Sequence, residues 1–229
     1  EPHSIAEQRT ITDGRIIPVG KGFVRKPPKR VDYLLRYTRD FPLAVVEAKA
    51  AYKAAADGLQ QAKDYAGMLG LKFAYATNGD EIIEFDYTTG LEQTRADYPT
   101  PDQLWQRYRT AAGLTDSQTA AQLLTPFNHT VRQGERYYQQ IAVNRVVEGI
   151  LNGRRRLLIT MATGTGKTAV AFQICWKLWT ARWNRTGEHR RPRILYLADR
   201  NILVDYPKDG IFAAFGEARF KIESGEVVK

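Results

Sequence analysis

The octapeptide Met161-Ala162-Thr163-Gly164-Thr165-Gly166-Lys167-Thr168 limits the folds open to this chain more than any other stretch. It follows the apolar run Leu157-Leu158-Ile159, whose composition predicts a buried parallel strand. It leads into Ala169–Cys175, whose pattern predicts a helix. Strand, glycine-rich turn and helix form the setting that a phosphate-binding loop requires. Gly164 and Gly166 allow a tight turn and close approach to an anion. Backbone N–H groups and the positive end of the helix then face the phosphates. Lys167 offers a point charge to the outer phosphates, and Thr168 a hydroxyl to a magnesium ion. Thr163, Gly164, Thr165, Gly166, Lys167 and Thr168 are therefore the expected nucleotide-binding residues, with a nucleoside triphosphate and Mg2+ as ligands. Met161 stands where the general pattern has glycine. A merely structural glycine turn does not require strand, turn, Lys-Thr and helix to agree as they do here.

The 229 residues suffice for one to two domains. Hydrophobic content of 43% with four Trp is ample for a core, and no apolar run approaches the ~20 residues of a membrane span. The first residue is Glu1, which points to a processed product or a fragment. A single cysteine, Cys175, forms no intramolecular disulfide and fits a reducing, cytoplasmic setting. A net charge of +9 points to a polyanionic partner. The basic residues cluster at Lys21–Arg30, Arg154–Arg156 and Arg182–Arg193, which favours phosphate contact over mere solubility.

In the first half, Ile11–Val19 holds a turn at Asp13-Gly14 and a short strand at Ile16-Ile17, and Lys21–Arg30 reads as a basic loop stiffened by Pro27-Pro28. Val31–Tyr37 and Leu43–Lys49 read as two strands of a hairpin. Alternation places Glu47 and Lys49 on one face. If Tyr37 pairs with Pro42, Asp32 stands opposite Glu47; a slip of one residue would separate them. Two carboxylates and an ammonium then share one patch. Such carboxylates are costly unless a cation neutralises them, and Mg2+, which takes oxygen ligands, is the natural one. Lys49 is placed to orient or activate a water for attack on a phosphodiester. The spacing of Ala55, Leu59, Ala62, Ala66 and Leu69 predicts a helix over 54–70, with Gln61, Tyr65 and Met68 on a neighbouring stripe. Lys72–Thr77 and Glu81–Tyr87 read as strands joined at Asn78-Gly79. Asp80, Glu81, Glu84 and Asp86 are expected on a solvated edge. Thr88–Thr100 reads as loop, Pro101–Thr110 and Asp116–Leu124 as helices, and the domain boundary is expected within 111–133.

In the second half, Glu135–Leu151 reads as a helix with Tyr138, Ile141, Ala142, Arg145, Val146 and Ile150 on one side. Ile194–Leu197 reads as another buried strand. After it, Arg200 is a candidate phosphate contact, with helix capping by Asp199 an equal reading. Gly210–Lys229 reads as a loop-like tail.

Asp32, a hairpin, then Glu47-Ala48-Lys49 resembles the active site of the PD-(D/E)xK nucleases. The following Gln61-x-x-x-Tyr65 is similar to nucleases fused to DNA motors, in which it supports cleavage. Ala-Thr-Gly-Thr-Gly-Lys167-Thr168 resembles the loop of nucleic-acid motors, where a Gln upstream reads adenine; Gln139, in Arg136-x-Tyr138-Gln139, is the candidate and Gln140 its competitor. With Leu-Ala-Asp199-Arg200, the ordered set resembles the restriction (motor) subunit of type I restriction–modification enzymes over essentially the whole chain. That resemblance implies an α/β chain: a PD-(D/E)xK-like mixed sheet with flanking helices over 1–110, a connector over 111–133, and the first part of a RecA-like superfamily 2 helicase lobe with a parallel sheet over 134–229. It implies cleavage by Asp32, Glu47 and Lys49 supported by Gln61 and Tyr65, ATP bound by Gln139, Lys167 and Thr168, metal at Asp32, Glu47 and Thr168, and double-stranded DNA with methylation and specificity subunits as partners. No Asp-Glu-x-His box follows Arg200, so the chain by itself is not expected to hydrolyse ATP. The competing readings are another helicase–nuclease fusion of DNA repair and an inactive nuclease-like module that binds nucleic acid.

Overall fold

Phe41-Pro-Leu-Ala-Val-Val-Glu-Ala48 has no polar residue before Glu47, and such a strand belongs inside a sheet covered on both faces. The computed structural model, which describes residues 4–12, 16–20, 22–25, 27–130 and 136–222, places it there. The chain forms two compact units, Glu1–Leu124 and Thr125–Lys229.

The first unit holds β1 (Ile5–Thr12), β2 (Ile16–Val19), β3 (Gly22–Arg25), β4 (Lys29–Thr38), β5 (Phe41–Ala48), α1 (Ala56–Leu69), β6 (Phe73–Thr77), β7 (Ile82–Asp86), β8 (Leu91–Arg95), α2 (Pro101–Ala111) and α3 (Ser117–Leu123). Six strands form a mixed sheet in the order β1-β4-β5-β6-β7-β8, and β2 and β3 form a separate ribbon. Only the β5–β6 pair of the large sheet is parallel. A parallel pair needs a crossover, and α1 provides it. Its predicted stripe, Ala55, Leu59, Ala62, Ala66 and Leu69, is wholly buried, and Gly70 closes the helix at φ 67°. Ala55 and Leu59 meet Ala76 and Ile83, which marks the sheet face under α1. On the opposite face α2 lays Trp105 and Tyr108 edge-on against Phe41, at 5.4 and 5.1 Å between ring centroids. A capping box between Thr100 and Gln103, with Pro101 after it, starts that helix.

The β4–β5 hairpin is less regular than its sequence. Pairing runs Tyr33↔Val46, Leu34↔Val45 and Leu35↔Ala44, then Arg36↔Pro42 and Thr38↔Phe41. Tyr37 does not face Pro42. Leu43 is an extra residue on one strand and Tyr37 on the other, so two opposed bulges cancel. Continuing the register from Tyr33↔Val46 still sets Asp32 opposite Glu47.

Several expectations are corrected. Ile5–Thr12 is a strand without a recognisable sequence pattern, and the supposed basic loop contains β3 and the start of β4. The Asp13-Gly14 turn lies outside the described residues. Thr88–Thr100 contains β8, which covers β7, so β7 is no edge. Glu84 and Asp86 are buried in consequence, while Asp80 stays exposed at the Asn78 turn.

The second unit holds α4 (Tyr137–Leu151), α5 (Lys167–Thr180), α6 (Ile202–Asp209) and a 3-10 segment (Ile211–Ala218). Helix α4 buries Val143, Val147 and Gly149, and leaves Arg145 exposed, in place of the expected face. Lys177 of α5 is fully buried and donates to Asn144 Oδ1 at 3.2 Å. Its ammonium lies 4.8 Å from the Phe127 ring. Burial pushes the Cys175 thiol up to about 11, which keeps it inert. The described start of the tail, Ile211–Ala218, is not a loop: Phe212 and Phe215 pack on Phe172, and Phe215 also on Trp176 and Trp179. Leu157–Ile159 and Ile194–Leu197, expected as buried strands, form no ladder, and Leu158 and Leu197 are 89% and 80% exposed. A strand is defined by its partner, and among the described residues neither run has one.

Candidate functional site

The continued β4–β5 register brings Asp32, Glu47 and Lys49 together at the end of β5, on the α1 face. Lys49 extends the β5–β6 ladder by one step, its N–H donating to Thr77 O at 2.7 Å. Its side chain runs beneath α1, where Gly58 leaves room: a Cβ there would stand 3.0 Å from Lys49 Cε. The ammonium then donates to Gln61 Oε1 at 3.0 Å, and Gln61 Nε2 donates to Tyr65 OH at 3.2 Å. The five residues singled out in the sequence form one constellation. Lys29 borders it, 5.6 Å from the Tyr65 ring centroid.

The two carboxylates are treated differently. Asp32 Oδ2 accepts the Ala48 N–H at 2.8 Å, and Oδ1 accepts Gln8 Nε2 at 3.1 Å. Glu47 is 1% exposed, and its Oε1 is buried without a hydrogen-bond partner. Burial, and then the charge of Asp32, push its pKa up to about 7, against the opposing pull of Lys49. A buried oxygen without a donor, beside a second carboxylate, suits a hard divalent cation. Gln8 and Gly58 escaped the sequence reading. Gln8 is visible only once the β1–β4 register is known, and Gly58 only once the path of Lys49 is.

In the second unit, Gly164 and Gly166 take φ of 77° and 86°, and Gly166 is the N-cap of α5. No side chain caps that helix and no acid lies in its first turn. Lys167 begins it, a position unfavourable for a cation unless an anion is near. Its ammonium donates to Met161 O at 2.8 Å and Ala162 O at 3.3 Å. Thr165 Oγ1 donates to Ala162 O at 2.6 Å. Gln139 Nε2 donates to Thr165 O at 2.8 Å, so this residue lies against the loop, and Arg136 reaches Gly164 O at 3.4 Å. The uncapped helix start and left-handed glycines suit a phosphate chain. Thr163 is exposed and Thr168 half-buried. Asp199 does not cap α6, whose N-cap is Asn201; it lies 3.9 Å from Arg200 Nε, both exposed.

The endonuclease subunit of the Escherichia coli type I restriction enzyme EcoAI is 40% identical to this chain over 230 residues, covering 98% of the chain and 27% of that subunit. A solved fragment of an HsdR subunit of a type I restriction enzyme from Vibrio vulnificus YJ016 is 56% identical, with a TM-score of 0.85 over 97% of this chain and 40% of that one. The chain belongs to the family of type I restriction enzyme endonuclease subunits. Within the family, the EcoKI endonuclease subunit of Escherichia coli K12 is 41% identical over 70 residues, 31% of this chain and 5% of that subunit. Residues 133–228 match the family model of the type III restriction enzyme res subunit. The chain thus spans between about a quarter and two-fifths of the length of the relatives it matches across nearly all of its own.

Proposed function

We propose that this chain carries the DNA-cleaving centre and the beginning of the ATP-driven motor of a type I restriction endonuclease. In this reading 1–110 is a PD-(D/E)xK-type nuclease domain, 111–133 a connector, and 134–229 the opening part of a RecA-like superfamily 2 lobe. The observation that carries the nuclease reading is Glu47 Oε1, buried and without a donor, beside Asp32 and Lys49.

Asp32 and Glu47 hold Mg2+ in this proposal. The ion supplies Lewis-acid polarisation of the scissile phosphate and a more acidic water. Ala48 N–H holds the Asp32 carboxylate in place. Lys49 orients the attacking water and stabilises charge developing on the phosphate. Gln61 fixes the Lys49 ammonium from α1, and Tyr65 fixes Gln61. In the second unit, Thr163, Gly164, Thr165, Gly166 and Lys167 hold the ATP phosphates, Thr168 its Mg2+, and Gln139 the adenine edge. The loop geometry and the family match over 133–228 support this part. Double-stranded DNA is the substrate, and methylation and specificity subunits complete the enzyme.

The test is Asp32→Ala, and separately Lys49→Ala, in the complete enzyme assembled with its partner subunits. Cleavage is expected to fall on the order of 10³-fold, about 4 kcal/mol of transition-state stabilisation. DNA-dependent ATP hydrolysis stays at the wild-type level. Normal cleavage by either variant removes the assignment.

A further inference from the structure

Gln8 lies in the middle of β1 with φ of 48°, one of two non-glycine residues at positive φ among the described residues. Its neighbours pair as Glu7↔Tyr33 and Arg9↔Val31, which sets Gln8 opposite Asp32. A left-handed backbone costs an L-residue roughly 1–2 kcal/mol, and a long unbranched side chain does nothing locally to offset it. Asparagine and glycine tolerate this conformation far better. The strained residue here is a glutamine, and its side chain reaches Asp32: Nε2 donates to Oδ1 at 3.1 Å.

The other oxygen of Asp32 accepts the Ala48 N–H at 2.8 Å. One carboxylate is thus held from both flanking strands, by an amide of β1 and by the backbone of β5. A carboxylate offers about four lone-pair sites. Two are taken by these donors, and two stay available toward Glu47, whose Oε1 has no donor. Without Gln8, the Asp32 carboxylate is fixed on one side only and turns about its Cβ–Cγ bond.

We infer that Gln8 is a positioning residue of the divalent-cation site: its side-chain amide locks the Asp32 carboxylate in the orientation that presents its free lone pairs to a metal shared with Glu47. The inference rests on the proposed function, since it concerns the same two carboxylates. Gln8 does not touch the metal in this arrangement. Partners of this outer kind typically change metal affinity by about 10–100-fold.

The experiment is calorimetric titration of Mn2+ into the 229-residue chain, comparing wild type, Gln8→Gly, Gln8→Met and Asp32→Ala. Gln8→Gly removes the amide and relieves the backbone. Gln8→Met keeps the length and the strained φ and removes only the amide. Both are expected to bind Mn2+ about tenfold more weakly. The thermal midpoint of Gln8→Gly stays level or rises, and that of Gln8→Met changes little. A purely structural role of the amide lowers the Gln8→Met midpoint and leaves the affinity alone. In the assembled enzyme, the Mg2+ concentration for half-maximal DNA cleavage rises by the same factor, and the rate at saturating Mg2+ recovers. If Asp32→Ala abolishes binding while either folded Gln8 variant binds as wild type does, the Gln8 inference is wrong and the nuclease reading stands. If wild type binds no Mn2+, or Asp32→Ala binds it unchanged, both fall together.

Discussion

One sheet carries two pairs of buried or half-buried acids on its two faces, and the pairs have opposite fates. On the α2 face, Glu84 is fully buried and Asp86 nearly so. Arg107 donates to Glu84 at 2.7 and 3.0 Å and to Asp86 at 2.7 Å. Tyr75 OH at 2.5 Å and Gln93 at 2.9 Å complete Glu84. Burial alone raises a carboxylate, yet Arg107 foremost holds Glu84 below the usual range, and the Thr88 hydroxyl, donating at 2.6 Å, and then Arg107 hold Asp86 there. On the α1 face, Glu47 is as well buried and has no such cation. Lys49 is bonded to Gln61 instead, and Glu47 is pushed up to about 7. Acids matched to fixed donors inside the fold hold it together, whereas acids left short of charge are poised for an ion from outside. Burial of a carboxylate does not separate the two cases; the identity of its donors does.

The widest test of this contrast is Arg107→Met. It removes the guanidinium that both buried carboxylates share and is expected to lower the free energy of unfolding by about 3–5 kcal/mol in urea titrations. A loss under about 1 kcal/mol means the α2-face network is not structural.

Next in size is Glu47→Gln, which has the opposite sign. The folded pKa of Glu47, about 7, lies above its unfolded value. Below the unfolded value both states are protonated and nothing is lost. As pH rises through 7 the fold loses up to about 3 kcal/mol, because the unfolded chain releases its proton more readily. Glu47→Gln escapes this loss, so it is the more stable protein at pH 8 and equal to wild type at pH 4. Glu84 and Asp86 behave inversely, since their contribution is present above the unfolded carboxylate range and fades as acid protonates them. Chemical denaturation at pH 4, 6 and 8 measures both trends. A Glu47→Gln advantage that shrinks with rising pH contradicts the account of Glu47.

The smallest effect on stability is expected of Gly58→Ala. Its Cβ would stand 3.0 Å from Lys49 Cε and 3.4 Å from Ala76 Cβ. Helix propensity gains about 1 kcal/mol and the crowding offsets it, so unfolding changes by less than about 1 kcal/mol. Displacement of the ammonium lowers cleavage in the assembled enzyme about tenfold. Cleavage at the wild-type rate means that Lys49 does not need its present path.

The sequence made the α1 face legible, because each of its parts carries a local signal. Helical spacing marked the stripe from Ala55 to Leu69, and strand alternation put Glu47 and Lys49 together. The α2 face was opaque for a physical reason. Glu84 and Asp86 look solvent-facing until β8 covers β7, and β8, Leu-Glu-Gln-Thr-Arg, has a polar composition without the apolar alternation that marks a strand. Gln8 was hidden likewise, since its meaning depends on pairing between strands far apart in the chain. In the second unit the glycines and Lys167 announced the loop, but apolar composition at Leu157–Ile159 and Ile194–Leu197 overstated the strands. Hydrophobicity marks a segment fit for burial and does not supply the neighbour that buries it.

The opposed bulges at Tyr37 and Leu43 give the hairpin a property best stated as parity. An added residue reverses which side of the sheet every later side chain faces, and a second one on the partner strand reverses it back. The meeting of Asp32 with Glu47 is therefore indifferent to the length of the turn and sensitive only to whether the two strands differ by an odd or an even count. A lone deletion at either position would invert the strand ends and part the two acids. A matched pair would leave them together. Length variation here is thus expected to arise in compensated pairs, as a coupled change in two places that share no side-chain chemistry.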